Sequence, residues 1–396
     1  MKIYLSTAAL ALLGGAASGW SNPWAPSSVQ ATASDAAAPQ LSWEEDAEIS
    51  ARLARVLKES GAPGAIGAVV QLGKKTRVGS FGLRHAGKDA PMNSADLVHI
   101  GSDTKAMTAV LIARLVQQGK MGWDSTIHEL MPRTSKLIHK DFRPVTVRQL
   151  LLHQSGLAAN AEDWWAFQGK DVRQRRVLIA QAAMAKAPAT KPGEAFLYSN
   201  LGVMVAGAMA EAVCDATWEE LIREHVFEPL GMTTAAFGVP GTAGEVDQPW
   251  GHTGGEGGKF VPVQLDNDPA LGPAGTVHLS MADWAKFATV FLEGVGSDQA
   301  DPFLSAESMG VLVGAGTDSA HGMGWLRADR SWAGGTALTH SGSNTTWYAN
   351  AWVAPEVDLA FLVAVNAYGD KIPAAADAFI GESVMAAGQE GSRQGR

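Results

Sequence analysis

Cysteine is nearly absent: Cys214 is the only one in 396 residues, so no internal disulfide staples the fold. Its apolar setting, Met209-Ala210-Glu211-Ala212-Val213-Cys214, predicts an inert buried thiol rather than a nucleophile. Clusters of Cys and His are missing, as is His-Glu-x-x-His, so no metal site is expected. Positive charge is in deficit, with 31 Lys and Arg against 40 Asp and Glu for a net charge of -9. That balance argues against nucleic acid as a partner. The densest basic cluster, Arg173-Gln174-Arg175-Arg176, reads as a solvated face. Glycine is plentiful, but Gly254-Gly255-Glu256-Gly257-Gly258 follows no strand and opens no helix, so it is not a phosphate loop. The whole stretch Gly244 to Pro273 reads as a mobile loop. Beyond the first residues, no apolar run reaches membrane-spanning length without charged or polar breaks.

Met1-Lys2 precede an apolar run from Ile3 to Ala17, followed by small residues. The run is too short for a bilayer and predicts a secretory signal peptide over residues 1–19. An exported protein, periplasmic or extracellular, is then expected, with no stable membrane span after cleavage. Ala31-Thr32-Ala33 is a second candidate cleavage point. Residues 20–40, rich in Ser, Ala and Pro, read as a linker ahead of a single catalytic-size domain at 41–390.

Ser42 to Ser60 repeats Ile49, Leu53, Val56 and Leu57 at helical spacing, with Glu44 and Glu45 early and Arg55 and Lys58 late. Ala65 to Leu72 and Arg77 to Arg84 read as a strand hairpin. Helices are expected over Ala106–Leu115, from Ile127, over Val145–Leu152, and repeatedly between Leu178 and Gly231. Ala337–Ser341, Trp347–Val353 and Leu359–Val365 read as strands, with Pro355 to Asp358 as a tight turn, and Pro373–Ala386 as a closing helix. The expected class is therefore α/β plus all-α. An antiparallel sheet is drawn from both chain ends (about 41–95 and 320–390), flanked by helices, with a helical insertion at about 100–320.

Three stretches carry chemistry. In Val98-His99-Ile100-Gly101-Ser102-Asp103-Thr104-Lys105, Ser102 and Lys105 stand three residues apart at the start of an apolar helix. That spacing brings hydroxyl and amine onto one face. A serine is a weak nucleophile until a neighbouring base takes its proton. Second, Phe196-Leu197-Tyr198-Ser199-Asn200 places one of only four tyrosines two residues before an amide. A phenol beside an ammonium can act as a base, and Asn200 offers both donor and acceptor. Third, Thr339-His340-Ser341-Gly342-Ser343 ends a strand. Gly342 permits close approach, and the Ser343 N–H can pair with the Ser102 N–H around a developing oxyanion.

In this order, Ser-x-x-Lys, Tyr-x-Asn and His-x-Gly resemble the three motifs of the serine β-lactamase and penicillin-binding-protein superfamily. More narrowly the chain resembles the class C β-lactamase group, with its D-Ala-D-Ala carboxypeptidases, D-aminopeptidases and family VIII esterases. Leu150-Leu151-Leu152-His153-Gln154-Ser155-Gly156-Leu157, Pro192-Gly193, Gly322-Met323-Gly324-Trp325 and Pro355-Glu356 also match, and the likeness covers about Leu41 to Ala387. The absence of Gly-x-Ser-x-Gly removes the nucleophile elbow as a competitor. The resemblance implies a covalent acyl-enzyme on Ser102. Lys105 and Tyr198 share the proton work, with the base unassigned between them, and Asn200, His340, Gly342 and Ser343 bind substrate. It implies no cofactor. The expected substrate is a small molecule or peptide: an ester or D-amino-acid peptide bond first, a β-lactam next. A receptor that is acylated and turns over poorly is the alternative. The third motif has His340 where the family usually carries Lys, so a substrate carboxylate is expected to bind only while His340 is protonated, below about pH 6–7. The adjacent pair Trp164-Trp165 either places one ring at the cleft mouth or packs as a loop under the helical region.

Overall fold

The computed structural model describes residues 42–254, 259–296, 303–316 and 320–394, with side chains to residue 390. The expected signal peptide, the linker and most of the glycine cluster lie outside the described residues. In chain order the strands are β1 (Trp43–Glu45), β2 (Gly64–Gln71), β3 (Thr76–Gly82), β4 (Leu97–His99), β5 (Ala236–Phe237), β6 (Gly251–Gly254), β7 (Phe260–Val263), β8 (Val277–Ser280), β9 (Leu326–Arg330), β10 (Gly335–Ser343), β11 (Tyr348–Ala354) and β12 (Leu359–Val365).

Seven of them form one sheet in the order β1-β3-β2-β12-β11-β10-β9, antiparallel except for the short parallel pairing of β1 with β3. Both chain ends supply strands, and β12 pairs with β2 from Leu359↔Gln71 to Val365↔Ala65. Side-chain alternation explains the unbroken apolar runs in these central strands. Ile66, Ala68, Val70, Ala360, Leu362 and Ala364 enter the core shared with the helical region. Ala65, Val69, Phe361, Val363 and Val365 enter a second core on the other face, with Ile49, Leu53 and Phe379. Helix α1 (Ala47–Leu57) and the closing helix Ile372–Gln394 cover that second face. The central helix, α2 (Thr104–Gln117), is buried along most of its length. Apolar side chains all round are what an interior helix requires.

Several expectations need correction. The first helix begins at Ala47, not Ser42, because the Asp46 carboxylate accepts the Glu48 and Ile49 N–H groups at 2.8 and 3.2 Å and caps it. Glu44 and Glu45 lie on β1 instead. The region read as a loop from Gly244 to Pro273 contains the hairpin β6–β7. A separate three-stranded sheet, β4-β8-β5, was not legible at all. Cys214, at the end of helix Asn200–Cys214, is partly exposed rather than buried, with desolvation still pushing its thiol up.

The basic cluster is not a solvated face either. Arg176 is fully buried and pairs with Glu211 and Glu219, while Arg175 pairs with Asp268 at 2.7 Å. Arg176 also donates to the Ala270 and Pro269 carbonyls at 3.1 and 2.8 Å. It thereby ties helix Val172–Ala183 to helix Asn200–Cys214 and to the segment leading into Gly272–Gly275. Removing only the cation strands two buried carboxylates, so Arg176→Met should cost about 3–5 kcal/mol in urea unfolding. Adding Glu211→Gln and Glu219→Gln should recover more than half of that loss, since the amides keep an acceptor for the Trp218 N–H. No recovery would show that packing, not charge, holds the junction.

Candidate active site

Strand β4 runs through Ile100 into a 3-10 turn, Gly101–Asp103, and then into α2. Ser102 therefore sits in the turn just before the helix, and Lys105 lies one turn on. Gly101 has φ +51°, a left-handed conformation that glycine adopts without strain. Lys105 is 1% exposed. Its Nζ donates to Ser102 Oγ at 2.9 Å and to the Ala274 carbonyl at 2.7 Å. Tyr198 OH reaches the same Ser102 Oγ at 2.9 Å, and Lys105 Nζ lies 5.0 Å from the Tyr198 ring centre.

Tyr198 is held from the loop behind it. Ser199 caps helix Asn200–Cys214 by accepting the Gly202 N–H at 2.9 Å, and its hydroxyl donates to the Ala158 carbonyl at 2.6 Å. The Ser199 N–H donates to His153 Nδ1 at 3.2 Å, and the His153 ring leans on Tyr198 at 4.7 Å between centres. Asn200 Nδ2 donates to Asn160 Oδ1 at 2.8 Å. His153 and Asn160 were not among the residues singled out, although the Leu-His-Gln-Ser-Gly-Leu stretch that carries the histidine was. Desolvation, reinforced by Lys105, holds the His153 imidazolium down to about 3, so the ring is neutral near pH 7.

The third motif lies on β10 against the Ser102 turn. A Cβ added to Gly342 would fall 2.0 Å from the Ile100 carbonyl oxygen and 2.7 Å from the Ser102 N. One added to Gly101 would fall 2.4 Å from the Ser343 N. The Ser102 and Ser343 backbones are thus brought close together, because each glycine lies against the main chain of the opposite segment. His340 contradicts the expected titration near pH 6–7. Burial, then the nearby Lys105, lowers it to about 4 against the opposing Gly324 contact. Its Nδ1 lies 2.6 Å from the Gly324 carbonyl oxygen, which can only accept, so Nδ1 carries the proton of the neutral ring. His340 supplies no charge to a carboxylate at neutral pH.

Beside these groups is a cavity of ≈ 290 Å³, lined by His153, Phe196, Tyr198, His321, Trp325 and His340 among others, with no Lys or Arg among the lining residues. Phe196 stacks on His321 at 3.9 Å. The tryptophan pair does not line it: Trp164 packs partly against the helical core and Trp165 is 62% exposed. Among the described residues no group of His, Cys, Asp and Glu is arranged to hold a metal ion.

A polypeptide with this sheet, this helical insertion and these three motifs has the β-lactamase/transpeptidase fold. The chain belongs to the Beta-lactamase family, which matches it over residues 49–384. It is 26% identical over 308 residues to penicillin-binding protein 4 of Amycolatopsis lactamdurans, covering 75% of this chain and 79% of that protein. It is 25% identical over 198 residues to protein flp of Staphylococcus aureus, covering 50% of this chain and only 39% of that longer protein. A D-stereospecific amidohydrolase from Streptomyces superposes with a TM-score of 0.64 at 21% identity, over 80% of this chain and 94% of that one. Family membership supports serine-hydrolase-type activity.

Asp103, next to the nucleophile position, is buried, and neither carboxyl oxygen meets a hydrogen-bonding partner outside its own residue. Desolvation raises its pKa well above the ordinary carboxyl range, against the opposing pull of Lys105. In the unfolded chain the group ionises near pH 4. Its contribution to stability is therefore complete below about pH 4 and is lost as pH rises towards the folded-state value. Asp103→Asn should remove that loss: its stability relative to wild type should grow between about pH 4.5 and 7.5 in urea unfolding. Equal slopes with pH would refute the buried neutral acid.

Proposed function

We propose that the protein hydrolyses esters, or D-amino-acid peptide bonds, that carry no carboxylate beside the scissile carbonyl, through an acyl-enzyme on Ser102. The observation that carries this is the convergence of Lys105 Nζ and Tyr198 OH on Ser102 Oγ, each at 2.9 Å. Ser102 Oγ attacks the carbonyl carbon while its proton passes to the Lys105–Tyr198 pair, and the carbonyl oxygen becomes an oxyanion received by the Ser102 and Ser343 N–H groups. Collapse breaks the bond to the leaving alcohol or amine, which takes up that proton. Water then adds to the acyl-enzyme by the reverse sequence and releases the acid. Asn200 and His340 orient the substrate as neutral groups.

The substrate preference follows from the charge of the cleft. The neutral His340 and His153, with no Lys or Arg lining the cavity, offer a carboxylate little. The aromatic walls formed by Phe196, His321 and Trp325 suit an apolar acyl group instead.

Ser102→Ala should lower turnover of p-nitrophenyl butyrate by at least about 10³-fold with an unchanged circular-dichroism spectrum. A fluorophosphonate should add once, at Ser102; an adduct at Ser155 or Ser341 would refute the assignment. A single stoichiometric burst without turnover would refute hydrolysis and favour a receptor.

The charge argument has its own test. The ratio of kcat/KM for nitrocefin to that for p-nitrophenyl butyrate cancels the titration of the shared base. It should stay flat between about pH 5.5 and 8, because His340 is already neutral there. His340→Lys should raise the ratio about tenfold or more. A ratio falling about tenfold per pH unit above pH 6 would mean that His340 titrates in that range after all.

A further inference from the structure

The two amides proposed to hold the oxyanion come from segments 241 residues apart by number, 102 and 343. Besides the close approach at Gly342, side chains outside all three motifs connect those segments. His99, fully buried on β4, accepts the Gly101 N–H on Nδ1 at 3.1 Å. That bond leaves the ring proton on Nε2, which faces Asp266 Oδ1 at 2.9 Å. The approach is oblique, so the contact is chiefly electrostatic rather than a linear hydrogen bond. The same Asp266 Oδ1 accepts from Asn344 Nδ2 at 3.0 Å. Asn344, one residue beyond Ser343, is buried as well, and its Oδ1 accepts the Thr346 and Trp347 N–H groups at 3.2 and 2.9 Å.

One carboxylate oxygen thus meets both sides. On one side it holds the imidazole that fixes the Gly101 peptide, immediately before Ser102. On the other it holds the amide that shapes the turn leaving Ser343. The neighbouring Asn267 donates to the Gly275 carbonyl at 2.7 Å, beside Ala274, whose carbonyl receives Lys105. A carboxylate with a side chain only 8% exposed is costly to bury for shape alone. Its two partners are placed where an error of an ångström would part the amides.

We propose that His99, Asp266 and Asn344 form a buried brace that sets the spacing of the Ser102 and Ser343 N–H groups, which makes them positioning residues for acyl transfer. The proposal rests on the acyl-enzyme function given above. The brace touches no reacting atom. Its effect is confined to steps in which charge develops on the carbonyl oxygen, so it acts on the tetrahedral state and not on the bound ester.

The test compares wild type with His99→Asn, Asp266→Asn and Asn344→Ser. His99→Asn keeps an acceptor two residues before Gly101 but cannot reach Asp266 as the imidazole does. Single-turnover acylation by p-nitrophenyl butyrate should slow about ten- to hundredfold with KM within about twofold. The Kd for phenylboronic acid, which forms a tetrahedral adduct on the serine, should rise by a similar factor. A purely structural role predicts a lower Tm with acylation rate and boronate affinity unchanged per folded molecule, and that result overturns the brace. If Asp266→Asn does not fold, the other two variants carry the same comparison from opposite ends. Wild-type protein that no fluorophosphonate labels at Ser102 would overturn the acyl-transfer function and the brace with it. Labelled wild type with unaltered variants overturns the brace alone.

Discussion

The contact on which the site depends is between two pieces of backbone. Strand β10 lies against the turn Gly101–Asp103 so closely that a methyl group at either Gly101 or Gly342 would overlap the opposite main chain. This close approach brings the Ser102 and Ser343 backbones side by side, and the His99–Asp266–Asn344 contacts lie behind it. The approach needs a rigid strand on one side, and β10 has it: it is hydrogen-bonded to β9 and β11 along its length. It needs a rigid turn on the other side, and the buried helix α2 supplies it.

Burial of Lys105 is the second constraint. An ammonium or amine withdrawn from water requires fixed partners, and here they are Ser102 Oγ and the Ala274 carbonyl. Ala274 belongs to the short helix Gly272–Gly275, next to the segment that Arg176 holds through the Pro269 and Ala270 carbonyls. The buried ion-pair network of the helical region and the candidate nucleophile are therefore parts of one chain of contacts. Helix Asn200–Cys214 completes it, because the same helix presents Tyr198 at its N-terminus and carries Glu211 to Arg176.

The electrostatic character of the cleft follows from desolvation more than from charge pairing. His153 and His340 both face a buried lysine, and in each the loss of water is the largest influence, lowering them to about 3 and about 4. The result is a cleft with a candidate serine nucleophile, aromatic walls and neutral imidazoles. Such a surface discriminates by shape and apolar contact, which is the physical basis of the proposed preference for uncharged acyl groups.

Much of this was legible along the chain. The i, i+3 spacing of Ser102 and Lys105 puts both on one face of the 3-10 turn that runs into α2, so it is set locally. The apolar runs of β2, β11 and β12 stand out because both sheet faces are buried, and Tyr198-Ser199-Asn200 could be singled out because tyrosine is rare. What depends on distant neighbours was not legible. Arg173-Gln174-Arg175-Arg176 has the composition of a solvated face, and only tertiary packing brings Glu211, Glu219 and Asp268 to it. His340 has the composition of a pH-sensitive cation, and only burial beside Gly324 and Lys105 makes it neutral. Asp266 lies in a stretch that reads as a mobile loop, yet it meets His99 and Asn344, 167 residues before it and 78 after it by number. Local spacing determined which groups are the candidates for the chemistry. Their charge states and the distances between them were decided by the fold, because desolvation and Coulomb energy depend on what surrounds a side chain and not on what precedes it.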